Sequence, residues 1–228
     1  MLCLTLTTLA LTCLECPQPG AECRAPSAEI RIGIVKGTLG SFASTILTSH
    51  QTAFELITPK VPGDSLANYG LIVIDNLFRL QDINGAAFKT YVENGGVLLV
   101  LNPKADGLSR TWAPYDIFIG EYTIEARINN RKHPLFSGFP DDKVTDLADS
   151  NGPFVGNCSF AEPGKEWTIL ARHSKKKKNA VILEAGFGRG HLILACTRFD
   201  NYNAKPTATR LGDNLFNYAV GLAKARNR

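Results

Sequence analysis

Two uninterrupted apolar runs dominate the pattern of hydrophobic and polar positions along this chain. Tyr69-Gly70-Leu71-Ile72-Val73-Ile74-Asp75-Asn76 and Val97-Leu98-Leu99-Val100-Leu101 show no polar alternation. That is the signature of parallel strands buried on both faces. Between them Ile83, Ala87, Phe88, Tyr91 and Val92 recur at helical spacing. Asp82 stands where an N-cap belongs, and Gly95 falls where a helix ends in a left-handed residue, a conformation glycine adopts without steric cost. The pattern predicts one βαβ unit.

The same alternation extends to both sides of that unit. Residues 30–35 read as a first strand, Gly37-Thr38-Leu39-Gly40 opens a helix through about residue 49, and residues 54–58 give a second strand closed by Pro59 and Pro62. Beyond Asn102, residues 115–122 and 124–128 are strand-like. Residues 167–172 and 180–185 form a predicted hairpin with Lys175-Lys176-Lys177-Lys178 at its tip. Gly186-Phe187-Gly188-Arg189-Gly190 then turns the chain into an apolar strand over 191–197. A final helix places Leu211, Leu215, Tyr218, Ala219 and Leu222 on one face, with Thr207 or Thr209 as its cap and basic residues at its C-terminal end. Repeated β-α alternation requires right-handed crossovers and a sheet covered on both sides. The predicted fold class is therefore α/β, a three-layer doubly wound, flavodoxin-like, mostly parallel sheet with an added C-terminal β-hairpin.

Bulk composition changes this picture little. With 228 residues and 44% hydrophobic content, one domain with a full core is the expectation. The net charge of +4 is mild and the lysine run reads as a solvated loop tip, which argues against a nucleic-acid partner. Residues 1–28 differ from the rest. Four cysteines (Cys3, Cys13, Cys16 and Cys23), an apolar stretch from residue 2 to 14 and Pro17, Pro19 and Pro26 read as an export signal and linker, although no Lys or Arg precedes the apolar stretch. The stretch is too short for a stable membrane span. The chain thus divides into a leader over 1–28 and an α/β domain over 29–228, expected in the periplasm or outside the cell if the leader directs export and in the cytoplasm if it is an ordinary leader or a misassigned start. Cys13-Leu14-Glu15-Cys16 has zinc-ligand spacing but no second Cys or His pair beside it, so neither a metal nor a cofactor is expected.

In this order and spacing the chain resembles the class I glutamine amidotransferase-like superfamily, and within it the exported, trehalose-utilisation-type (ThuA-like) branch. The residues that carry the resemblance are 69–76, Tyr91-Val92-Glu93-Asn94-Gly95-Gly96, His133-Pro134-Leu135 with Gly138, Gly186-Phe187-Gly188-Arg189-Gly190, and Asn214-Leu215-Phe216-Asn217-Tyr218-Ala219. The Gly-Gly strand unit also looks like the related domain of gliding-motility transport proteins, which implies a protein partner. Active amidotransferases of this superfamily carry a nucleophilic Cys on the sharp turn after the strand that here is 97–101, and a His-x-Glu pair after the last sheet strand. This chain has Asn102-Pro103-Lys104 at the first place and Asp200-Asn201 at the second. The ThuA-like branch often has a His after the Gly-Gly strand, and Asn102 departs from that as well. Glutaminase chemistry is not expected.

Ligands of doubly wound sheets bind beyond the carboxyl ends of the strands, where strand order reverses. The expected ligand-binding residues are Thr38, Asp75, Asn76 and Asn102, short polar side chains suited to hydroxyl groups. The bland alternative is that they cap loops and helices. Gly37 to Ser41 has too little glycine and no lysine for a phosphate cradle, and the glycine-rich turn at 186–190 leads into a strand, not the helix a dinucleotide site needs. The functional expectation is a non-catalytic domain that binds a small polar ligand, with carbohydrate implied by the resemblance, or a protein partner. The alternative is a sugar-acting hydrolase or isomerase using Asp75, His133 and Asp200, although His133 fits loop anchoring at least as well.

Overall fold

The structure, a computed structural model, describes residues 30–36, 41–75, 84–103, 113–121, 125–139, 158–199 and 201–226. Five parallel strands form its centre: β1 (Ile32–Lys36), β2 (Glu55–Ile57), β3 (Leu71–Asp75), β4 (Val97–Leu101) and β10 (Gly190–Ala195). They lie side by side in the order β2-β1-β3-β4-β10. Every residue of β3 and β4 is buried, which is why neither strand shows polar alternation. The doubly wound order expected from the βαβ pattern is present.

The helices are α1 (Phe42–Ser49), α2 (Gly63–Leu66), α3 (Gly85–Glu93) and α4 (Pro206–Arg226). A right-handed crossover from β3 to β4 puts α3 on one face. The reversed step from β1 to β2 puts α1 on the other, where α4 joins it. Phe88 of α3 is fully buried against the sheet, with Tyr91 and Val92 on the same face. Burying such a side chain contributes roughly 1.5–3 kcal/mol.

Helix α3 starts later than its expected cap. Asn84 holds the N-cap position, and its side chain accepts from the backbone N–H of Ala87 at 3.4 Å, while Asp82 lies outside the described residues. The helix ends as predicted. Gly95 has φ +114, beyond the region open to other residues at low cost.

The predicted hairpin is present and belongs to a larger antiparallel extension. Strand β8 (Thr168–His173) pairs with β9 (Ala180–Phe187), and β9 pairs antiparallel with β10. Three short strands, β5 (Phe118–Gly120), β6 (Ala126–Ile128) and β7 (Ser159–Ala161), complete a sheet of ten strands among the described residues. The turn between β9 and β10 lies against the C-terminal end of α3: the N–H of Arg189 donates to the carbonyl of Glu93 at 2.9 Å. A Cβ on Gly190 would sit 1.7 Å from the carbonyl oxygen of Val92, so this close approach requires glycine.

Candidate functional site

The parallel strands end together at one rim of the sheet. Asp75 pairs in register with Leu101, and Leu101 with Ala195, so Asp75, Asn102 and the residues after Ala195 lie at neighbouring strand ends. Of the four expected ligand-binding residues, Asp75 and Asn102 are placed there; Thr38 and Asn76 lie outside the described residues.

Asp75 is fully buried and holds the start of α1. Its Oδ2 accepts from the Ser41 hydroxyl at 2.7 Å and from the backbone N–H of Ala43 at 2.7 Å, and the nearby Phe42 N–H also favours the charged carboxylate. Ser41 is itself the N-cap of α1. Burial pushes Asp75 up to about 6, and the helix-end donors oppose that rise without cancelling it. Its second oxygen, Oδ1, is buried with no hydrogen-bond partner among the described residues. The capping role and an open acceptor thus coexist in one carboxylate.

Asn102 occupies the turn after β4 in a left-handed conformation, φ +45, and its N–H donates to the carbonyl of Ala195 at 2.7 Å. Asparagine tolerates the left-handed region better than other side chains except glycine. Asn102 is 1% exposed, so a residue just past a strand is here part of the core.

Thr197 is not marked as a site residue by the sequence, where it reads as the tail of an apolar strand. It stands two residues past Ala195, fully buried, and its Oγ1 has no hydrogen-bond partner among the described residues. At the same end of the sheet, the Cys158 thiol donates to the carbonyl of Pro103 at 3.0 Å. Cys158 and Cys196 are both buried free thiols. Burial, with the Cys158 thiol alongside, pushes Cys196 well above the usual thiol range.

His133 lies elsewhere. Its Nδ1 accepts from the backbone N–H of Leu135 at 3.3 Å, capping the short 3-10 turn Pro134–Phe136, so the ring proton sits on Nε2, 3.3 Å from Oε1 of Glu184. His191 Nε2 is 3.0 Å from the other Glu184 oxygen, which also accepts from the Tyr218 hydroxyl at 2.8 Å. Burial alone would raise Glu184, but the three donors lower it to about 2. This cluster joins β9, β10, α4 and the His133 loop. Glu184 stands on β9, three strands along the sheet from Asp75 on β3, or about 14 Å at the usual strand spacing. Asp200, the third residue of the catalytic alternative, lies outside the described residues.

A cavity of about 580 Å³ opens at the opposite, amino end of the strands, between α2 and α3, lined by Tyr69, Asn84, Thr90, Asn94 and Gly96 among others. Neither Asp75 nor Thr197 lines it. Within the lysine run, Lys176 pairs with Glu121 and Lys178 lies 3.7 Å from Glu162. Among the described residues no group of three or more His, Cys, Asp and Glu gathers to hold a metal, and no helix is long and apolar enough to cross a membrane.

No family model matches the sequence, and no curated protein matches it. Solved structures do. A Bacteroides uniformis protein described as ThuA-like superposes with a TM-score of 0.59 at 17% identity, over 89% of this chain and 95% of its own. A Thermoplasma acidophilum protein described as a GMP synthase subunit gives 0.60 at 9% identity, over 87% and 96%. The exo-β-1,4-mannosidase Op5Man5 of Opitutaceae bacterium strain TAV5 gives 0.52 at 13% identity, over 82% of this chain and 35% of its own. Identities this low speak to fold, and with the strand order they agree on one: the chain has the flavodoxin-like α/β fold that the ThuA-like and GMP synthase subunit structures share, that of the class I glutamine amidotransferase-like proteins.

Proposed function

We propose that this domain binds a small polar ligand, a carbohydrate foremost, over the carboxyl ends of β3, β4 and β10, and catalyses no glutamine hydrolysis. One observation carries the reading: Asp75 Oδ1 and Thr197 Oγ1, at the ends of β3 and β10 on either side of β4, roughly 10 Å apart at the usual strand spacing, are both buried and lack partners among the described residues. Buried polar groups are nearly always hydrogen-bonded, and each one left unmade costs roughly 1–3 kcal/mol. A bound molecule with hydroxyl groups would supply both missing partners, since a hydroxyl donates and accepts. Carbohydrate is the class the ThuA-like resemblance implies, and the mannosidase among the fold neighbours is named for one. Thr38 and Asn76 belong to the same proposed site by their place after β1 and β3.

A sugar-acting hydrolase or isomerase would need an imidazole and a carboxylate facing this crevice. His133 meets Glu184 under α4 and not Asp75, which supports binding over catalysis. The test is a thermal-shift screen against mono- and disaccharides, repeated with Asp75→Asn and Thr197→Val. A sugar should raise the melting temperature of the wild type and bind each variant about tenfold more weakly, the equivalent of about 1.4 kcal/mol. Variants that bind a hit as tightly as wild type would move the site elsewhere.

A further inference from the structure

A helix N-terminus beside the carboxyl ends of a parallel sheet is the usual seat of a phosphate or carboxylate, because its free N–H groups and dipole favour negative charge. In this chain that seat is taken. The Ala43 N–H and the Ser41 hydroxyl both donate to the carboxylate of Asp75, which is fully buried. What this end of the sheet then has left for a ligand is the other side of the same carboxylate, Oδ1, together with the Thr197 hydroxyl beyond β4, both buried and without partners among the described residues. An ionised carboxylate only accepts hydrogen bonds, and threonine does either.

We propose that the crevice selects ligands presenting O–H or N–H donors, neutral polyols and amino sugars, and rejects phosphorylated or carboxylated ones, because Asp75 has replaced the anion at the start of α1. The assignment rests on the ligand site proposed above and narrows it to a class. An incoming phosphate would meet a carboxylate of like charge with no solvent between them. It would also find the helix-end donors already engaged. A hydroxyl or an ammonium group would complete the open valence of Asp75 Oδ1, and the ammonium would add the attraction of opposite charge.

The test separates this selectivity from the site itself. Phosphorus NMR line broadening by inorganic phosphate is measured on wild type, on Asp75→Ala and on Asp75→Ser, the second keeping a small acceptor for α1 should the first fold poorly. Ligand-observed proton NMR then gives affinities of wild type for glucose, glucosamine and glucose 6-phosphate. Wild type should leave the phosphate signal unbroadened, whereas the Asp75 variants, with α1's donors released, should broaden it. Glucosamine should bind at least about tenfold more tightly than glucose 6-phosphate. Phosphate broadening by wild type that Thr197→Val reduces, Asp75 variants that fold yet gain no phosphate binding, or glucose 6-phosphate binding as tightly as glucosamine would each overturn the proposal. If no sugar binds while phosphate behaves as expected, the small-sugar reading fails and the exclusion of anions stands.

Discussion

Nε2 of His133 and Oε1 of Glu184 lie 3.3 Å apart, and through that contact the loop before the 3-10 turn is fastened to β9 beneath α4. His191 and Tyr218 reach the other oxygen of the same carboxylate. One acid therefore satisfies three half-buried donors from three parts of the chain, and His133 serves as a loop anchor.

Removing that acid should destabilise the fold without touching the proposed ligand site at Asp75 and Thr197. Glu184→Ala leaves two imidazole N–H groups and a tyrosine hydroxyl without their acceptor, at a cost of roughly 1–3 kcal/mol or more. Urea unfolding should show a lower midpoint, with sugar binding unchanged. The same carboxylate makes a pH dependence. Its folded value of about 2 lies below its ordinary 4.5, so its contribution is present in full above about pH 4.5 and is lost as pH falls toward 2. Wild type should lose stability in that window more steeply than Glu184→Gln does.

Asp75 should work in the opposite direction. Its folded value of about 6 lies above the ordinary 3.8, so the folded state holds the proton more tightly. Stability should therefore fall as pH rises from about 4 to about 6, by an amount on the order of 3 kcal/mol at about 1.4 kcal/mol per unit. Asp75→Asn, which keeps an acceptor for α1, should flatten that part of the profile and be more stable than wild type at pH 7.5. A wild-type profile level between pH 4 and 6 would exclude this account.

At Asn102 the backbone decides. Asn102→Leu places a branched side chain at φ +45 and buries no polar group, and should cost roughly 1–2 kcal/mol from the left-handed conformation alone. Asn102→Gly should be tolerated to within about 1 kcal/mol, since glycine enters that region freely. Thermal unfolding of the two variants, compared with wild type, checks the order. A leucine variant as stable as the glycine variant would show that the turn relaxes.

The thiols should be inert in the folded protein. Cys158 and Cys196 are both buried, and burial holds Cys196 in its protonated form. An aromatic disulfide reagent should modify them only slowly under native conditions and rapidly in urea. Glutamine should yield no ammonia above a protein-free control, and Cys158→Ala and Cys196→Ala should leave that baseline where it is. Ammonia release abolished by either substitution would restore a catalytic reading.

Much of this molecule was legible in its local sequence because the forces involved are local. The apolar runs at β3 and β4, the helical period of Phe88, Tyr91 and Val92, and the glycine at position 95 each report a backbone period or a dihedral requirement that neighbouring residues alone impose. Topology followed from them, since crossover handedness leaves few ways to wind a β-α-β chain, and topology in turn pointed to Asp75 and Asn102 as strand-end residues. The glycine-rich turn was legible as a turn, though not as the contact of Gly190 with Val92 that requires its glycine.

What only the tertiary structure decided are the relations between distant residues. The helix N-terminus that engages Asp75, the hydrogen bond from the Asn102 N–H to the Ala195 carbonyl, the burial of Thr197, and the meeting of Glu184 with His133, His191 and Tyr218 all depend on which strand ends come level and which helix covers them. A hydrogen bond between residues far apart in sequence leaves no period in that sequence. Its partners are chosen by packing, and whether a polar atom is satisfied or left open is settled only when water has been excluded around it.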